Sequence, residues 1–431
     1  MGSHAELLAR HRRVLPSWLA LYYDGPIELV RGDGRRVWDA EGNVYLDLFG
    51  GILTTMTAHA LPEVVEAVQE QAARIMHTST LYLIRSQVEL AEEIARLAPI
   101  PDAKVFFTTS GTEANEAALL LACTARRSHQ VLAVRNSYHG RSFAAMAVTG
   151  NRGWSASALS PVDVKYVHGG YRFRSPFGHL DDAAFTAACV DDLEDVIVTQ
   201  TAGDVACMIA EPIQGVGGFA TPPDGFFGAM KEVLDDHGIL FVADEVQTGW
   251  GRTGDHLWGI EAHGVEPDLM TFAKGLGNGL TIAGVVARAE LMDGLAANSI
   301  STFGGNPLSC AGALANLRYL LANDLQGNAA KVGGHLRREL EDRRGRWPSV
   351  GEVRGKGLML GIEMVLPGTR RPDPSAASQV LEATRERGVL VGKGGLHGNV
   401  LRIAPPLTIT TDEADEGVAA LDAALSEVGA T

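Results

Sequence analysis

The sequence predicts an α/β protein in which a mostly parallel central sheet is flanked by helices. Strand-like and helix-like runs alternate through the middle of the chain, as in folds where each parallel strand returns through a helix. Three short apolar runs each end at one ionisable residue, namely Glu211, Asp244 and Lys274. Because polar groups gather beyond the carboxyl ends of parallel strands, these runs also predict a functional site at that edge of the sheet.

The unit that opens this core is a strand followed by a helix. Residues 104–109 form a β-rich run, after which small apolar residues recur on one face of a 3.6-residue period. That face consists of Ala114, Ala117, Ala118, Leu121, Ala122 and Ala125. Ser110, with Glu113 three residues later, predicts a capping box at the start of the helix.

The start of the same helix is a candidate anion site. Ser110, Gly111 and Thr112 offer backbone N–H groups, two hydroxyls and the positive end of a helix dipole, which together suit a phosphate. An ordinary helix cap is the alternative interpretation. A nucleotide-binding phosphate loop is excluded, because GxxxxGK[ST] does not occur in the sequence.

The three apolar runs predict buried strands with chemistry at their ends. They are residues 205–210, 238–243 and 267–273, which precede Glu211, Asp244 and Lys274. A buried carboxylate needs a cationic partner, and a lysine whose pKa is lowered by burial can act as a Schiff-base nucleophile. The alternatives are an aspartate that caps the next turn and a lysine that reaches solvent.

A helix start for a phosphate, a strand-end acid and a strand-end lysine together predict one cofactor, pyridoxal 5′-phosphate (PLP). Its phosphate suits the helix at Ser110, and its pyridinium nitrogen needs an acid such as Asp244 to keep it protonated. Its aldehyde needs an amine such as that of Lys274.

The two ends of the chain predict a second, smaller unit. Short strands at residues 357–362 and 400–403 indicate an α+β small domain built from residues 1–55 and 320–431. Residues 56–319 would then form the large, cofactor-binding domain. The acidic stretch at residues 181–194 predicts a solvated surface insertion.

Composition limits the partners and the location. The chain has 431 residues and a formal net charge of −15, which disfavours nucleic acid or an anionic membrane as the main partner. Its four cysteines are widely spaced and its 13 histidines lack metal-binding spacing, so we predict no disulfide framework and no metal. We predict a cytoplasmic protein, with an organelle presequence as the alternative.

The sequence resembles the class III aminotransferases, which are PLP enzymes of fold type I, almost from end to end. The motifs that carry the resemblance are SGTEANEAA (110–118), YHG (138–140), EPIQGVGG (211–218), ADEVQTGWGRTG (243–254), AKGLGNG (273–279), TFGGNP (302–307) and LRIAPPL (401–407). The resemblance implies that Lys274 forms the Schiff base and shuttles the substrate proton. It also implies that Asp244 pairs with the ring nitrogen and that Glu211 supports Asp244.

The same resemblance implies the other contacts. They are Ser110, Gly111 and Thr112 at the phosphate, Tyr138 and Val246 on the two ring faces, His139 beside them, and Gln247 at the phenolic oxygen. Thr302 would reach the cofactor phosphate of a second subunit, so the active sites would be shared across a homodimer. Arg402 would anchor the substrate carboxylate. Ordinary core packing of Tyr138 and a surface ion pair of Arg402 are the alternatives.

Two departures from the wider family narrow the activity. Val216 stands where the GABA and ornithine enzymes carry a glutamate that pairs with the substrate-binding arginine, which disfavours ω-amino donors. Ile52 stands where dialkylglycine decarboxylases carry a glutamine, which disfavours decarboxylation.

The most extensive similarity is to the alanine–glyoxylate aminotransferase 2-like subgroup, through HTSTLYL (77–83), TFGGNPLSCA (302–311) and VRGKGLMLGIEM (353–364). It implies ping-pong transfer of an amino group from alanine or a β-amino acid to glyoxylate or pyruvate. A PLP-dependent phospholyase of the same subgroup is the alternative, and a catalytically inactive binding protein is a more distant one. The GxGxxG at residues 249–254 lacks a following helix pattern, so a dinucleotide-binding dehydrogenase is disfavoured.

Overall fold

The computed structural model describes residues 4–429, which contain fifteen strands and thirteen α-helices. The strands are Leu29–Asp33 (β1), Arg36–Asp39 (β2), Val44–Asp47 (β3), Ala103–Thr108 (β4), Gln130–Val134 (β5), Asp163–Val167 (β6), Cys207–Ala210 (β7), Leu240–Asp244 (β8), Leu269–Phe272 (β9), Ala283–Arg288 (β10), Val350–Lys356 (β11), Met359–Met364 (β12), Val389–Leu390 (β13), Gly392–Gly394 (β14) and Val400–Ile403 (β15).

The helices lie between and around these strands. They are His4–Val14 (α1), Gly50–Leu53 (α2), Pro62–Arg74 (α3), Arg85–Leu97 (α4), Gly111–Arg126 (α5), Phe143–Ala147 (α6), Asp182–Gln200 (α7), Phe226–Asp236 (α8), Ala289–Met292 (α9), Pro307–Ala322 (α10), Leu325–Arg343 (α11), Pro374–Glu386 (α12) and Thr411–Gly429 (α13). Among the described residues, no helix is both long enough and apolar enough to cross a bilayer.

A seven-stranded sheet forms the centre of the molecule, in the order β4-β10-β9-β8-β7-β5-β6. The pairs from β9 through β8, β7 and β5 to β6 are parallel, and β10 alone runs antiparallel to its two neighbours. This arrangement confirms the predicted mostly parallel sheet. The residues of β7, β8 and β9 are almost all fully buried, as expected for strands covered on both faces.

Two four-stranded sheets accompany the central one, in the orders β1-β2-β3-β13 and β11-β12-β15-β14. Strand β13 pairs in parallel with β3, where Val389 lies opposite Leu46, so segments from the two ends of the chain share a sheet. The domain boundaries at residues 55 and 319 stay a prediction.

The acidic stretch at residues 181–194 is not a solvated insertion, and that expectation was wrong. It begins α7, which buries one face and packs against α8 and β6. The buried residues of that face are Phe185, Cys189, Leu193, Val196 and Ile197. Their spacing is helical, and the acidic residues occupy the remaining faces.

Candidate active site

A cavity of about 140 Å³ lies beyond the carboxyl ends of β7, β8 and β9. Its lining brings together most of the residues that the sequence singled out. They are Gly111, Thr112, Tyr138, His139, Glu211, Asp244, Val246, Gln247 and Lys274, joined by Asn115, Gly140 and Ala273. Five segments separated by tens of residues therefore meet at the sheet edge that the strand-end pattern predicted.

The carboxylate of Asp244 is held by three hydrogen bonds and is only 3% exposed. Its Oδ2 lies 2.7 Å from Nδ1 of His139 and accepts from Nδ2 of Asn115 at 2.8 Å. Its Oδ1 accepts from the backbone N–H of Val246 at 3.1 Å. His139 and Asn115, rather than Glu211, are the side chains that fix this carboxylate.

Glu211 contacts the backbone instead of supporting Asp244 directly. Its Oε1 accepts from the N–H of Tyr138 at 2.9 Å, and its Oε2 accepts from the N–H of Gly215 at 2.8 Å. Burial, followed by the nearby charge of Asp244, raises the pKa of Glu211 to about 7, although His139 opposes the shift. Glu211 thus joins the loop that carries Tyr138 to the loop after β7.

Lys274 is half-buried and lines the cavity at the start of a short 3₁₀ turn, Lys274–Gly277. Burial lowers the pKa of its amine, and the positive charge of Arg402 acts in the same direction, whereas Asp244 and Glu211 oppose the shift. A lowered pKa increases the neutral, nucleophilic fraction of the amine. The cavity therefore contains an amine whose pKa is lowered together with two carboxyl groups.

The amino end of α5 forms one wall of the cavity and suits an anion. The first hydrogen bond of the helix runs from the N–H of Ala114 to the carbonyl of Ser110, so the N–H groups of Gly111 and Thr112 have no acceptor within the helix. At Gly140, which has a φ of +142°, a Cβ would lie 2.6 Å from Oγ1 of Thr112. Glycine thus keeps the space beside this helix end open.

The predicted capping box forms only in part. The Ser110 hydroxyl accepts from the N–H of Glu113 at 3.2 Å, as predicted. The Glu113 carboxylate accepts from the N–H of Thr109 at 2.8 Å, one residue before the cap, and from the hydroxyl of Ser301. Ser110 is exposed and lies outside the cavity lining, so its side chain acts as the helix cap.

Two buried polar atoms of the site are left without a protein partner. They are Nε2 of His139 and Oε1 of Gln247. Buried polar atoms are normally hydrogen-bonded, so an unpaired donor or acceptor in a cavity indicates a missing polar partner. Together with the anion-binding helix end, the Asp244 carboxylate and the Lys274 amine, these atoms fit PLP. No group of three or more His, Cys, Asp or Glu side chains in residues 4–429 is arranged to hold a metal ion.

Tyr138 and Val246 both line the cavity, and Tyr138 packs edge-on against Trp154 at 5.5 Å between ring centroids. Burial raises the pKa of the Tyr138 hydroxyl, while the charge of Arg141 lowers it. Arg141 in turn lies under the ring of Trp18, 5.4 Å from its centroid. A basic side chain therefore stands at the edge of the site, covered by an aromatic residue of the N-terminal segment.

Arg402 is buried, which rules out the surface ion pair. Its guanidinium donates to the carbonyls of Gly215 at 3.3 Å and Lys393 at 3.1 Å. The rings of Phe49 and Phe219 lie 4.9 Å and 5.6 Å from its Cζ. Its Nε is buried without a partner, so this cation has donor capacity to spare for an anion.

Thr302 lies away from the cavity on an exposed loop. Its neighbour Phe303 is 61% exposed, and Ile300 is 57% exposed. Within this chain, Thr302 therefore contacts no part of the predicted cofactor site.

Sequence reasoning did not single out Asn115 or the aromatic surroundings of Arg402. Asn115 is 1% exposed, and besides its bond to Asp244 it donates to the carbonyl of His139 at 2.8 Å and accepts from Thr271. The signal in the sequence was a single amide in a helix whose neighbours are mainly alanine and leucine. Phe49 and Phe219 come from distant segments, and no local pattern connects them with Arg402.

Comparison with known proteins gives consistent results. The family model for class-III aminotransferases matches residues 22–425. Alanine–glyoxylate aminotransferase 2 homolog 2, mitochondrial, from Arabidopsis thaliana is 39% identical, over 99% of this chain and 89% of its own. An (S)-enantioselective ω-transaminase from Thermomicrobium roseum superimposes with a TM-score of 0.91 at 37% identity, over 99% of both chains. A phospholyase from Arthrobacter, solved with phosphoethanolamine, reaches 0.89 at 34% identity, over 97% of this chain and 99% of that one.

Proposed function

The chain belongs to the class III aminotransferases, which are PLP-dependent enzymes of amino-group transfer, and from this we propose its substrates. We propose that it transfers an amino group from a small donor, alanine or a β-amino acid, to a 2-oxo acid such as glyoxylate or pyruvate by a ping-pong mechanism. The observation that carries the proposal is that Lys274 and Asp244 line one cavity together with the amino end of α5. When bound, PLP supplies a ring that withdraws electrons and stabilises negative charge on the carbon bearing the amino group.

Different cavity residues would bind different parts of PLP. Gly111 and Thr112 would hold the phosphate through their free N–H groups, and Asp244 would keep the proton on the ring nitrogen. His139 and Asn115 fix Asp244 for that task through their bonds to Oδ2. The amine of Lys274, with its lowered pKa, is the group that would remove the substrate proton and return it.

Tyr138, Val246 and Gln247 would complete the enclosure. Tyr138 and Val246 both line the cavity and would flank the ring. Gln247 lines the same cavity, and its amide N–H is the donor that we assign to the phenolic oxygen.

Arg402 is our assignment for the substrate carboxylate. Its positive charge acts to lower the pKa of the Lys274 amine. Its guanidinium contacts carbonyls and rings instead of an acid, and its Nε is unpaired. With Val216 in place of a glutamate, the loop after β7 offers Arg402 no acidic side chain at that position, which suits small amino acid donors.

The phospholyase activity is the second candidate, and a specific observation favours it. Arg141 lies at the edge of the site, where it influences Tyr138, and could bind a substrate phosphate. The Arthrobacter relative named as a phospholyase shares the fold over nearly the whole chain. Elimination of phosphate would need the same lysine and the same cofactor.

A homodimer is part of the proposal. Leu81, Tyr82 and Leu83 are 76%, 69% and 98% exposed, and Ile300 and Phe303 add further exposed apolar surface beside Thr302. Burial of such residues against a second copy would remove apolar surface from water and would allow Thr302 to approach the partner's cofactor. A cytoplasmic location is also proposed. Because the Arabidopsis relative is named as mitochondrial, imaging of the labelled full chain is the test.

The test of the activity is a donor screen on the purified holoenzyme without an acceptor, following the visible absorbance of the lysine-bound cofactor. Loss of that absorbance with alanine or a β-amino acid, restored by glyoxylate or pyruvate, supports transamination. Release of inorganic phosphate from phosphoethanolamine, with the absorbance returning unaided, supports the lyase. Lys274→Ala should bind cofactor without turnover, whereas Lys331→Ala, on an exposed face of α11, should behave as the unchanged protein.

A further inference from the structure

The turn that carries Lys274 begins and ends with residues in the left-handed region. Lys274 has a φ of +41° and Asn278 a φ of +46°. Residues other than glycine adopt this conformation rarely and keep it only where surrounding contacts impose it. The contacts that hold this turn therefore decide where the Lys274 amine points.

One buried side chain outside the cavity holds both carbonyls that follow Lys274. Asn316 lies on α10 and is fully buried. Its Nδ2 donates to the carbonyl of Gly275 and to that of Leu276, each at 3.0 Å. Its Oδ1 accepts from the hydroxyl of Thr57, so both ends of the amide are bonded to neighbouring segments.

Thr57 extends this contact towards the segment of Arg402. It is fully buried, and its N–H donates to Oδ1 of Asn278 at 2.9 Å. Its carbonyl accepts from the hydroxyl of Thr408 at 2.6 Å. Thr408 follows the strand β15 that carries Arg402, so one chain of hydrogen bonds joins the lysine turn to the segment of the substrate anchor.

We propose that Asn316 is a positioning residue for Lys274, and that Thr57 links this position to the segment of Arg402. The proposal rests on the proposed role of Lys274. Asn316 restrains the peptide units that carry the Gly275 and Leu276 carbonyls, and this restraint keeps the Lys274 backbone left-handed and its amine directed into the cavity. Because attack by an amine depends steeply on the placement of its nitrogen, a small relaxation of the turn slows bond formation without removing any cofactor contact.

The test separates attachment of the cofactor from its binding. In the apoprotein, the Lys274 amine adds to the aldehyde carbon of added PLP, a C=N bond forms, and the aldehyde oxygen leaves as water. The attachment rate is measured by stopping the reaction at successive times with borohydride, which reduces the C=N bond, and determining the fraction of modified protein by mass spectrometry. Binding of pyridoxamine phosphate, which has no aldehyde to react with Lys274, is measured in parallel by calorimetry.

For Asn316→Leu we expect attachment to slow about 10- to 100-fold while pyridoxamine phosphate binds as in the unchanged protein. Asn323→Ala, at the exposed carboxyl end of the same helix, is the matched control and should change neither quantity. Attachment within about twofold of the unchanged protein would overturn the proposal. An equal loss of attachment and binding would also overturn it, because it would indicate general damage to the site.

If Asn316→Leu does not fold, Thr57→Val decides the matter with the same two measurements, because it removes one hydroxyl while keeping the shape of the side chain. Neither measurement uses an amino donor, so a negative donor screen leaves this test intact. Absence of attachment at Lys274 in the unchanged protein would instead contradict the proposed function.

Discussion

The imidazole of His139 contacts the carboxylate of Asp244, with 2.7 Å between Nδ1 and Oδ2, and both side chains are buried. Asn115 donates to the same oxygen, which leaves Oδ1 with one backbone N–H as partner. The carboxylate is thus oriented from one side by two side chains. Nε2 of His139 points away from Asp244 and lacks a protein partner, so the pair can extend its hydrogen bonding beyond the protein.

His139→Phe should lower kcat about 10- to 100-fold, the effect of losing one hydrogen bond to a charged group. The ring shape is kept, but Asp244 loses a donor and its carboxylate can rotate away from the cofactor nitrogen. The rate of the donor half-reaction, measured by stopped-flow absorbance, is the direct readout. His179→Phe, an exposed position, is the control, and an unchanged rate at position 139 would assign His139 to packing alone.

The strand-end residues could be predicted because each depends on a local pattern. A short apolar run followed by one ionisable residue indicates a buried strand and its end, and β7, β8 and β9 end within one or two residues of Glu211, Asp244 and Lys274. The partners of these groups depend on contacts between distant segments. Asn115 reaches Asp244 across 129 positions, and Asn316 reaches the Lys274 turn across about 40, which no local pattern contains.

The acidic segment at residues 181–194 was misinterpreted for a different reason, because its number of charges was considered and the spacing of its apolar residues was not. Its charges suggested a solvated stretch, yet Phe185, Cys189 and Leu193 recur at helical spacing and are fully buried in α7. Spacing decides which face of a helix is buried, and the total number of charges does not. The same segment is therefore part of the layer that covers the central sheet.

Glu245→Gln should change how the stability of the apoprotein depends on pH. Glu245 is fully buried, accepts from the N–H groups of Gly259 and Ile260 at 3.0 Å and 2.7 Å, and burial raises its pKa from 4.5 to about 7. Between these two values the folded chain holds a proton that the unfolded chain has released. This contribution to stability is therefore complete below pH 4.5 and is lost as the pH rises through about 7.

Urea unfolding at a series of pH values from 4.5 to about 7 measures the difference in the free energy of unfolding between the two proteins. The free energy of unfolding of the unchanged protein, relative to Glu245→Gln, should fall with rising pH by at most about 1.4 kcal/mol per unit. Glu232→Gln, on an exposed face of α8, should run parallel to the unchanged protein. Parallel curves for Glu245→Gln as well would mean that the buried carboxyl stays ionised throughout.

Arg402→Gln should raise KM for amino acid donors about 100-fold, because the substrate carboxylate loses a charge-assisted, two-point contact. 1-Phenylethylamine is an amine donor without a carboxylate, so its KM should change little. Tyr22 offers a milder variant, since its hydroxyl lies 3.4 Å from Nη2 of Arg402 and donates to the carbonyl of Lys393 at 3.1 Å. Tyr22→Phe should raise KM for amino acid donors, relative to KM for 1-phenylethylamine, by a smaller factor than Arg402→Gln.

The ratio between the two donors is what distinguishes binding from support of the fold. Arg402 is buried and donates to the carbonyls of Gly215 and Lys393, so its replacement also removes structural contacts. If support of the fold were its main role, kcat would fall with both donors. Arg338→Gln, on an exposed part of α11, controls for the loss of a positive charge. A loss confined to KM of the amino acid donor would leave carboxylate binding as the role of Arg402, because the two donors differ in that they do or do not carry a carboxylate.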